Sequence, residues 1–322
     1  MNILVTGSSG WLGLFLIPRL RRDGHRVIGL DPVPGPLTDI VGSIADRPTV
    51  HRALREHEIT AIVHAGALHK PHIATRGNAP FVEVNMQGTL NLLEEATTPG
   101  SKVDRFIFTS TTSLMISREI RESRQRGAQS ASWIDEEMTP LLPRNIYGVS
   151  KLSGEHLCRM FHESHGLPTI VLRTARFFPE EDDMSSSIVQ SGPNTKANEF
   201  LFPRLTAQDA ADAHVVALAL APQIGFDTFI VSALTPFAPD DCRQLMEYAP
   251  DVVNRYFPHY REIYARRGWT MFDKIDRVYD GRKAMRRLGF VCKTGFGEIL
   301  QQLEREPRPG SVFVIDPRER AA

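Results

Sequence analysis

Two rhythms alternate along the chain. Short unbroken apolar runs fit strands buried on both faces: NILVT at 2–6, HRVIGLD at 25–31, TAIVHAGA at 60–67, DRFIFTSTTS at 104–113 and LPTIVLRTARF at 167–177. Between them lie segments whose apolar positions recur every three or four residues, as on a helix with one buried face. These are the segment from Trp11 to Gly24, residues 46–57, VEVNMQGTLNLLEEAT at 82–97 and the stretch from Tyr147 onward. Strands alternating with helices predict an α/β fold with a parallel, doubly wound sheet. After residue 176 the rhythm weakens. EEDDMSSSIVQSGPNTKANE reads as loop, AQDAADAHVVALALA at 207–221 as a helix, and DTFIVSA as a strand that gives an edge back to the sheet. Two or three helices are expected in the last third. The pattern divides the chain into a sheet-bearing domain, 1–176, and a smaller lobe interleaved with the sheet, 177–322, with a surface arm from Glu306.

Composition narrows the function classes. With 322 residues, 42% of them hydrophobic, the chain can bury one large core, or a large and a small one. The formal net charge is zero, so no global field points to nucleic acid and no polybasic tail to a membrane. Cys158, Cys242 and Cys292 are too scattered for a disulfide framework, which predicts a reducing, cytoplasmic setting. MNILVTGSSG reads as a first strand and not as a signal peptide, and no apolar run approaches the ~20 residues of a membrane span.

GSSGWLG sets Gly7, Gly10 and Gly13 directly after the first strand and at the opening of a helix. Glycines so spaced let the backbone turn tightly and approach a pyrophosphate at the positive helix end. Asp31 closes the next strand, 18 residues after Gly13. A carboxylate there accepts hydrogen bonds from adenosine ribose hydroxyls and repels a 2′-phosphate. No Arg or Lys follows in DPVPGP, so NAD is expected over NADP. A glycine turn in an α/β protein without a ligand is the plainer alternative.

NIYGVSKLSGE adds chemistry. Tyr147 and Lys151 are four residues apart and share one helix face. A solvated face would explain that spacing. So would an ammonium that stabilises a phenolate, bringing a group that titrates near ~10 toward neutrality, where it takes a proton from a hydroxyl.

Together the glycine turn, Asp31, HAGA at 64–67, VNMQGTLNLLEEA, FIFTSTTS and YGVSK resemble the extended short-chain dehydrogenase/reductases, the NAD-dependent epimerase/dehydratase family of sugar-nucleotide enzymes. The likeness covers residues 1 to about 180 and resumes at AQDAADAHVVAL and VYDGRKAMRRLGF. It implies a Rossmann-type sheet, with NAD held by residues 1–176 and substrate by a C-terminal lobe. It implies that Tyr147 is the acid/base, and that Lys151 contacts the nicotinamide ribose while lowering the phenol's pKa. Thr111 would orient the substrate hydroxyl, with Thr112 and Ser113 beside it. Cofactor contacts would come from Gly7, Gly10, Trp11, Leu12 and Gly13 in the turn, then from Asp31, from Ser43 and Ile44, from Ala65, Gly66 and Ala67, and from Asn85 and Thr109. Ser43 stands where the family usually carries an Asp that reads the adenine amine.

Several departures bear on substrate. Arg176 occupies the place of an asparagine that touches sugar-nucleotide phosphates; with Phe177 it would face the substrate. The segment 180–203, between FFPEEDD and PRLTAQDAADAH, is short for a family that holds its nucleotide there. The charged segment 114–136 is long, which fits a helix or lid over the site, or a surface excursion. TSTTSLM lacks the Asp–Glu pair expected of a dehydratase. Arg266 and Arg267 are candidate anion contacts. The spacings of His64, His69 and His72 do not fit a metal pair, His64 matches a structural histidine, and EEDD at 180–183 reads as a solvated loop, so no metal is expected. The expectation is oxidation of a secondary alcohol on a sugar or sugar-nucleotide by bound NAD, with a transient ketone and return of the hydride, as in an epimerase. The alternatives are a dehydrogenase of a smaller polyol or natural-product intermediate that releases NADH, and a non-catalytic NAD-binding protein. The resemblance also implies a homodimer, with Leu152, Leu157 and Phe161 as apolar anchors.

Overall fold

The computed structural model describes residues 1–123, 125–177, 192–202 and 204–306. The acidic run 180–183 and the arm beyond Glu306 lie outside the described residues. The chain opens with β1 (Asn2–Thr6), α1 (Trp11–Arg22), β2 (Arg26–Asp31), β3 (Ile40–Val41), α2 (Arg47–Glu56) and β4 (Ala61–His64). The predicted helix at 82–97 is one helical run in three pieces: α3 (Asn78–Phe81), a π-helical turn (Val82–Gln87) and α4 (Gly88–Thr97). Then come β5 (Arg105–Thr111), the one-turn α5 (Arg118–Arg121), β6 (Ser132–Ile134), α6 (Ile146–His165) and β7 (Thr169–Thr174). Beyond residue 177 lie α7 (Gly192–Glu199), α8 (Ala207–Ile224), β8 (Phe226–Val231), α9 (Cys242–Tyr256), α10 (Tyr260–Ala265), β9 (Arg277–Tyr279), α11 (Arg282–Leu288) and α12 (Phe296–Arg305).

Seven strands form one parallel sheet in the order β3-β2-β1-β4-β5-β7-β8. The unbroken apolar runs are explained by burial on both faces. Ile3, Val5, Val63, Ile107 and Leu172 point to one side, into a core shared with α1 and α8. Leu4, Ile62, Phe106, Phe108 and Val171 alternate to the other, into a core under α2, α4 and α6. Strand order reverses between β1 and β4, and a crevice at the carboxyl ends of such strands is where open α/β sheets bind ligands.

Among the described residues the last third holds four helices, one more than its weak periodicity predicts; α9, α10 and α12 enclose a second core with Phe200, Phe202 and Ile275, while Ala284 and Leu288 of α11 join the first. Within the 114–136 segment the only α-helix among the described residues is the one-turn α5. After α5 the segment runs into β6, which pairs in parallel with β9. Backbone bonds from Ala131 N to Cys242 O (2.8 Å) and from Ser132 N to Asp276 O (2.9 Å) fasten it to the C-terminal region. At the sheet edge, Glu136 accepts the Ile230 N–H of β8 (2.7 Å); burial raises its pKa despite that bond. On α6, the expected dimer anchors turn inward. Phe161 is buried in the core, and Leu152 and Leu157 pack against the chain's own clusters. The exposed apolar residues of that helix are Val149 and Met160.

Candidate active site

The turn after β1 forms the first wall. Gly7 has φ +76°, and a Cβ there would lie 2.8 Å from the Gly66 nitrogen in the loop after β4. A Cβ on Gly13 would lie 2.5 Å from the Ser8 carbonyl oxygen, which keeps α1 tight against the turn. Trp11 and Leu12 open α1, with Leu12 buried. Asp31, at the end of β2, accepts the N–H of Ser9 (3.1 Å) and of Val33 (2.9 Å), so its carboxylate is fixed beside the glycine turn with capacity for further donors. These side-chain-free walls, the helix N-terminus and the anchored carboxylate fit a dinucleotide. Ser43 follows β3, and its hydroxyl accepts the Ala45 N–H (3.1 Å). The Ile44 side chain is buried in the core and its carbonyl accepts from Asn91 (3.0 Å).

Behind Ala65, Gly66 and Ala67 runs a buried hydrogen-bond chain whose direction can be deduced. The Thr89 hydroxyl donates to the Asn85 carbonyl (2.6 Å), so it must accept from His64 Nε2 (2.9 Å). His64 Nδ1 then accepts from the Thr6 hydroxyl (2.8 Å), whose oxygen takes the Gly66 N–H (2.9 Å). Burial, with the Lys151 ammonium adding, holds the His64 pKa well below its ordinary value, which keeps the ring neutral as this chain requires. Asn85 is 2% exposed. Its amide accepts from Leu68 N (2.7 Å) and donates to Leu68 O (3.0 Å) and to the Ser150 hydroxyl (3.0 Å). Asn85 therefore ties the loop after β4 to α6, and these partners engage its amide.

α6 starts at Asn145, whose side chain caps it by accepting the Gly148 N–H (2.9 Å). Tyr147, Lys151 and Glu155 follow at four-residue steps on the buried face. Gly154 lets that face close on β5: a Cβ there would lie 2.5 Å from Phe108 Cζ. Lys151 Nζ sits 4.0 Å from the Phe108 ring centroid. Burial pushes its ammonium down to about 8, while the Cys158 thiol and the Glu155 carboxylate pull upward. Lys151 thus remains mostly protonated at neutral pH. Glu155 is itself clamped by Arg173 (2.7 Å) and Ser110 (2.6 Å). His69 places its ring 6.1 Å from that of Tyr147, and burial, the main cause, pushes its pKa to about 4.

Tyr147, Lys151, Thr111, Thr112, Arg176 and Phe177 all line one cavity of about 520 Å³, as do Ala65, Ala67 and Thr109. The Thr111 hydroxyl accepts the Ser113 N–H (3.1 Å) and so keeps its own hydrogen to donate. Thr109 turns its hydroxyl to His214 Nε2 (2.8 Å), because His214 Nδ1 is spent on the Ala210 carbonyl (2.7 Å). Arg176 pairs with Glu199 (2.9 Å), which also holds Arg204. Arg266 and Arg267 do not join this cavity. They line a separate crevice on the C-terminal region, and Arg267 donates to the carbonyl of Leu303 (3.1 Å) in α12. Among the lining residues that sequence reasoning missed are Lys70, Arg121, Arg144, Arg277 and Tyr279. Only the charge of the 114–136 segment hinted at one of them, Arg121.

A profile of the NAD dependent epimerase/dehydratase family matches residues 3–223. The chain is 27% identical over 202 residues to a dTDP-glucose 4,6-dehydratase of Xanthomonas campestris pv. campestris (strain B100), 55% of each sequence. It is 30% identical over 194 residues to an uncharacterized UDP-glucose epimerase of Bacillus subtilis (strain 168), 54% of this chain and 55% of the other. It spans about half the length of the curated relatives it matches. Among solved structures, a short-chain dehydrogenase/reductase superfamily protein from Agrobacterium tumefaciens with bound NAD superimposes at a TM-score of 0.65, with 22% identity over 95% of this chain and 98% of that one. That likeness shows the fold.

Proposed function

The chain belongs to the NAD dependent epimerase/dehydratase family, and from that premise we propose that it oxidises a secondary alcohol of a sugar or sugar-nucleotide, in the manner of an epimerase. What supports this reading is one arrangement: Tyr147, Lys151 and Thr111 line a single cavity that adjoins the loop packed on the glycine turn. Gly7, Gly10, Gly13 and Asp31 would hold NAD, which supplies a hydride acceptor when bound. Tyr147 takes the hydroxyl proton as its phenolate and returns it when the ketone is reduced. The Lys151 ammonium favours that phenolate. Thr111 donates its remaining hydrogen to the substrate oxygen and fixes its direction. No Asp or Glu is found among the described residues that line the cavity, which disfavours dehydration, since elimination needs an acid beside the strand hydroxyl.

The test is direct. The protein is purified, assayed for co-purified NAD, and incubated with a panel of sugar nucleotides and polyols. Interconversion of substrates without net NADH supports the epimerase. Accumulating NADH moves the assignment to a dehydrogenase. Failure to bind NAD removes the proposal altogether. A homodimer belongs to the same reading. Val82, at the start of the π-helical turn, is exposed, as are Val149 and Met160 on the adjacent α6. Light scattering at micromolar concentration reads the assembly, and a monomer would count against it. Three free cysteines accord with a reducing, cytoplasmic setting.

A further inference from the structure

β5 carries two threonines on one face of the strand, Thr109 and Thr111, about 7 Å apart along it, and both line the cavity. Their hydroxyls have opposite polarity. Thr111 accepts the Ser113 N–H (3.1 Å) and keeps its hydrogen for a ligand. Thr109 has its hydrogen taken, and the reason lies on α8. His214 is fully buried, and its Nδ1 lies 2.7 Å from the Ala210 carbonyl one turn earlier. A carbonyl oxygen only accepts, so Nδ1 carries the ring hydrogen. Burial lowers the His214 pKa to about 4 although the Ala210 bond raises it, so the ring is neutral at physiological pH and Nε2 holds only a lone pair. The Thr109 hydroxyl, 2.8 Å away, therefore donates to it. All that Thr109 has left for an occupant of the cavity is an acceptor.

Resting on the reading of this cavity as a site for NAD and an alcohol, we propose that Thr109 accepts a hydrogen bond from the carboxamide N–H of the nicotinamide, and that His214 is the positioning residue that denies Thr109 any other polarity.

Position selects the nicotinamide end of the cofactor. Thr111 stands where the substrate hydroxyl is oriented, and Thr109 lies one strand repeat deeper. Thr109 shares the cavity lining with Ala65 and Ala67, in the loop that packs on the glycine turn. The part of a dinucleotide that extends from that loop and still adjoins the carbon reacting at Tyr147 is the ring that takes the hydride.

Chemistry selects the carboxamide. Its nitrogen is the only conventional hydrogen-bond donor on that ring, and the adjoining ribose is the group that the family resemblance gives to Lys151. A hydroxyl free to rotate would meet either end of the amide equally well, by donating to the oxygen or accepting from the nitrogen. The His214 bond removes that freedom. A carbonyl turned toward Thr109 would set two acceptors face to face and leave both unpaired in a largely closed site. One strand thus sorts its ligands by polarity, a donor over Thr109 and an acceptor over Thr111.

The test measures binding by calorimetry on protein freed of any nucleotide that co-purifies. The probes are NAD, the thionicotinamide dinucleotide, which keeps the N–H, and the 3-acetylpyridine dinucleotide, which replaces the amide nitrogen by a methyl group and keeps the carbonyl. Wild type should bind NAD about five- to a hundredfold tighter than the acetylpyridine dinucleotide, the range for leaving a buried acceptor unpaired. The thionicotinamide form should follow NAD. Thr109→Val should erase most of the preference, and Thr109→Ser should keep it. His214→Leu should shrink the preference, because the released hydroxyl can then donate to the acetyl carbonyl. His214→Gln, whose amide oxygen can take the Thr109 hydrogen, should restore part of it. Melting temperatures control for folding; if His214→Leu does not fold, His214→Gln and the two Thr109 variants decide. Equal affinity of wild type for NAD and the acetylpyridine dinucleotide overturns the inference, and so does a preference that survives Thr109→Val. A His214→Leu that weakens both dinucleotides by the same factor overturns the positioning role, because a merely structural histidine would do that. Failure of wild type to bind any of the three dinucleotides would instead overturn the reading of the cavity as an NAD site, so the failures remain distinct.

Discussion

Along the β1–β4 edge the site is walled by backbone. Gly7 meets Gly66 where neither has room for a side chain, Ser9 and Val33 hold Asp31 by their N–H groups, and a helix N-terminus completes the wall. Along the β5–β7 edge it is walled by side chains, among them Thr111, Tyr147, Lys151, Arg144 and Arg176. The first wall is set by backbone geometry where the turn after β1 meets the end of β2 and the loop after β4, and suits what the family shares, a dinucleotide backbone. The second is assembled from side chains of β5, α6 and the end of β7 and can change its charge without disturbing the sheet. On the proposed reading, cofactor choice and substrate choice are thereby carried by different elements.

That contrast can be broken first at its chemical end. Tyr147→Phe is expected to lower turnover by ~10²–10⁴-fold, the usual cost of losing a general base, while the calorimetric affinity for NAD stays near wild type. A joint loss of both would mean the two walls are not independent.

Lys151 gives the next largest effect. Its pKa is depressed from 10.5 to about 8, so the folded state loses this proton before the unfolded state does. The unfolded chain then binds more protons between these values, and stability from this group rises with pH across that window. Lys151→Met should therefore be more stable than wild type at neutral pH, with an advantage that shrinks by about 3 kcal/mol as pH rises from about 8 to about 10.5. Urea unfolding at a series of pH values reads it; a constant gap would show that the lysine is not buried as a cation.

The smallest effect belongs to the backbone wall. Gly7→Ala forces a positive φ and a 2.8 Å contact with Gly66 on a residue with a Cβ. A strain of ~1–2 kcal/mol should weaken NAD binding about tenfold with little change in binding of the sugar substrate. Equal losses for both ligands would join the walls into one.

Legibility in the sequence follows the same division. The glycine turn, Asp31 and the Tyr147–Lys151 step are local patterns, read from neighbours along the chain, and the seven-stranded order is built on apolar runs that were equally local. Lys70, Arg144 and Arg277 carry no local signal, since each is an ordinary cation until the topology brings it to the cavity. β6 and β9 escaped notice for the same reason: each is three residues long, and their pairing spans more than a hundred residues. Asn85 was singled out from its motif, but its work could not be read there, because its partners Leu68 and Ser150 meet it only in the fold. The resemblance marked Leu152 and Leu157 as interface anchors, whereas their half-burial against the chain's own clusters is visible only in the fold.

One consequence of Asn85 concerns timing more than place. Its single amide grips Leu68 on the loop after β4 and Ser150 on α6, and Ser150 passes the grip to the Tyr147 carbonyl (2.9 Å). Two surfaces that must meet at sub-ångström tolerance are thus measured from one ruler. Thermal displacement of that ruler shifts both together and cancels in their separation, as common-mode noise does in a balanced circuit. The side chain that touches neither ligand then governs how steadily the two can face each other.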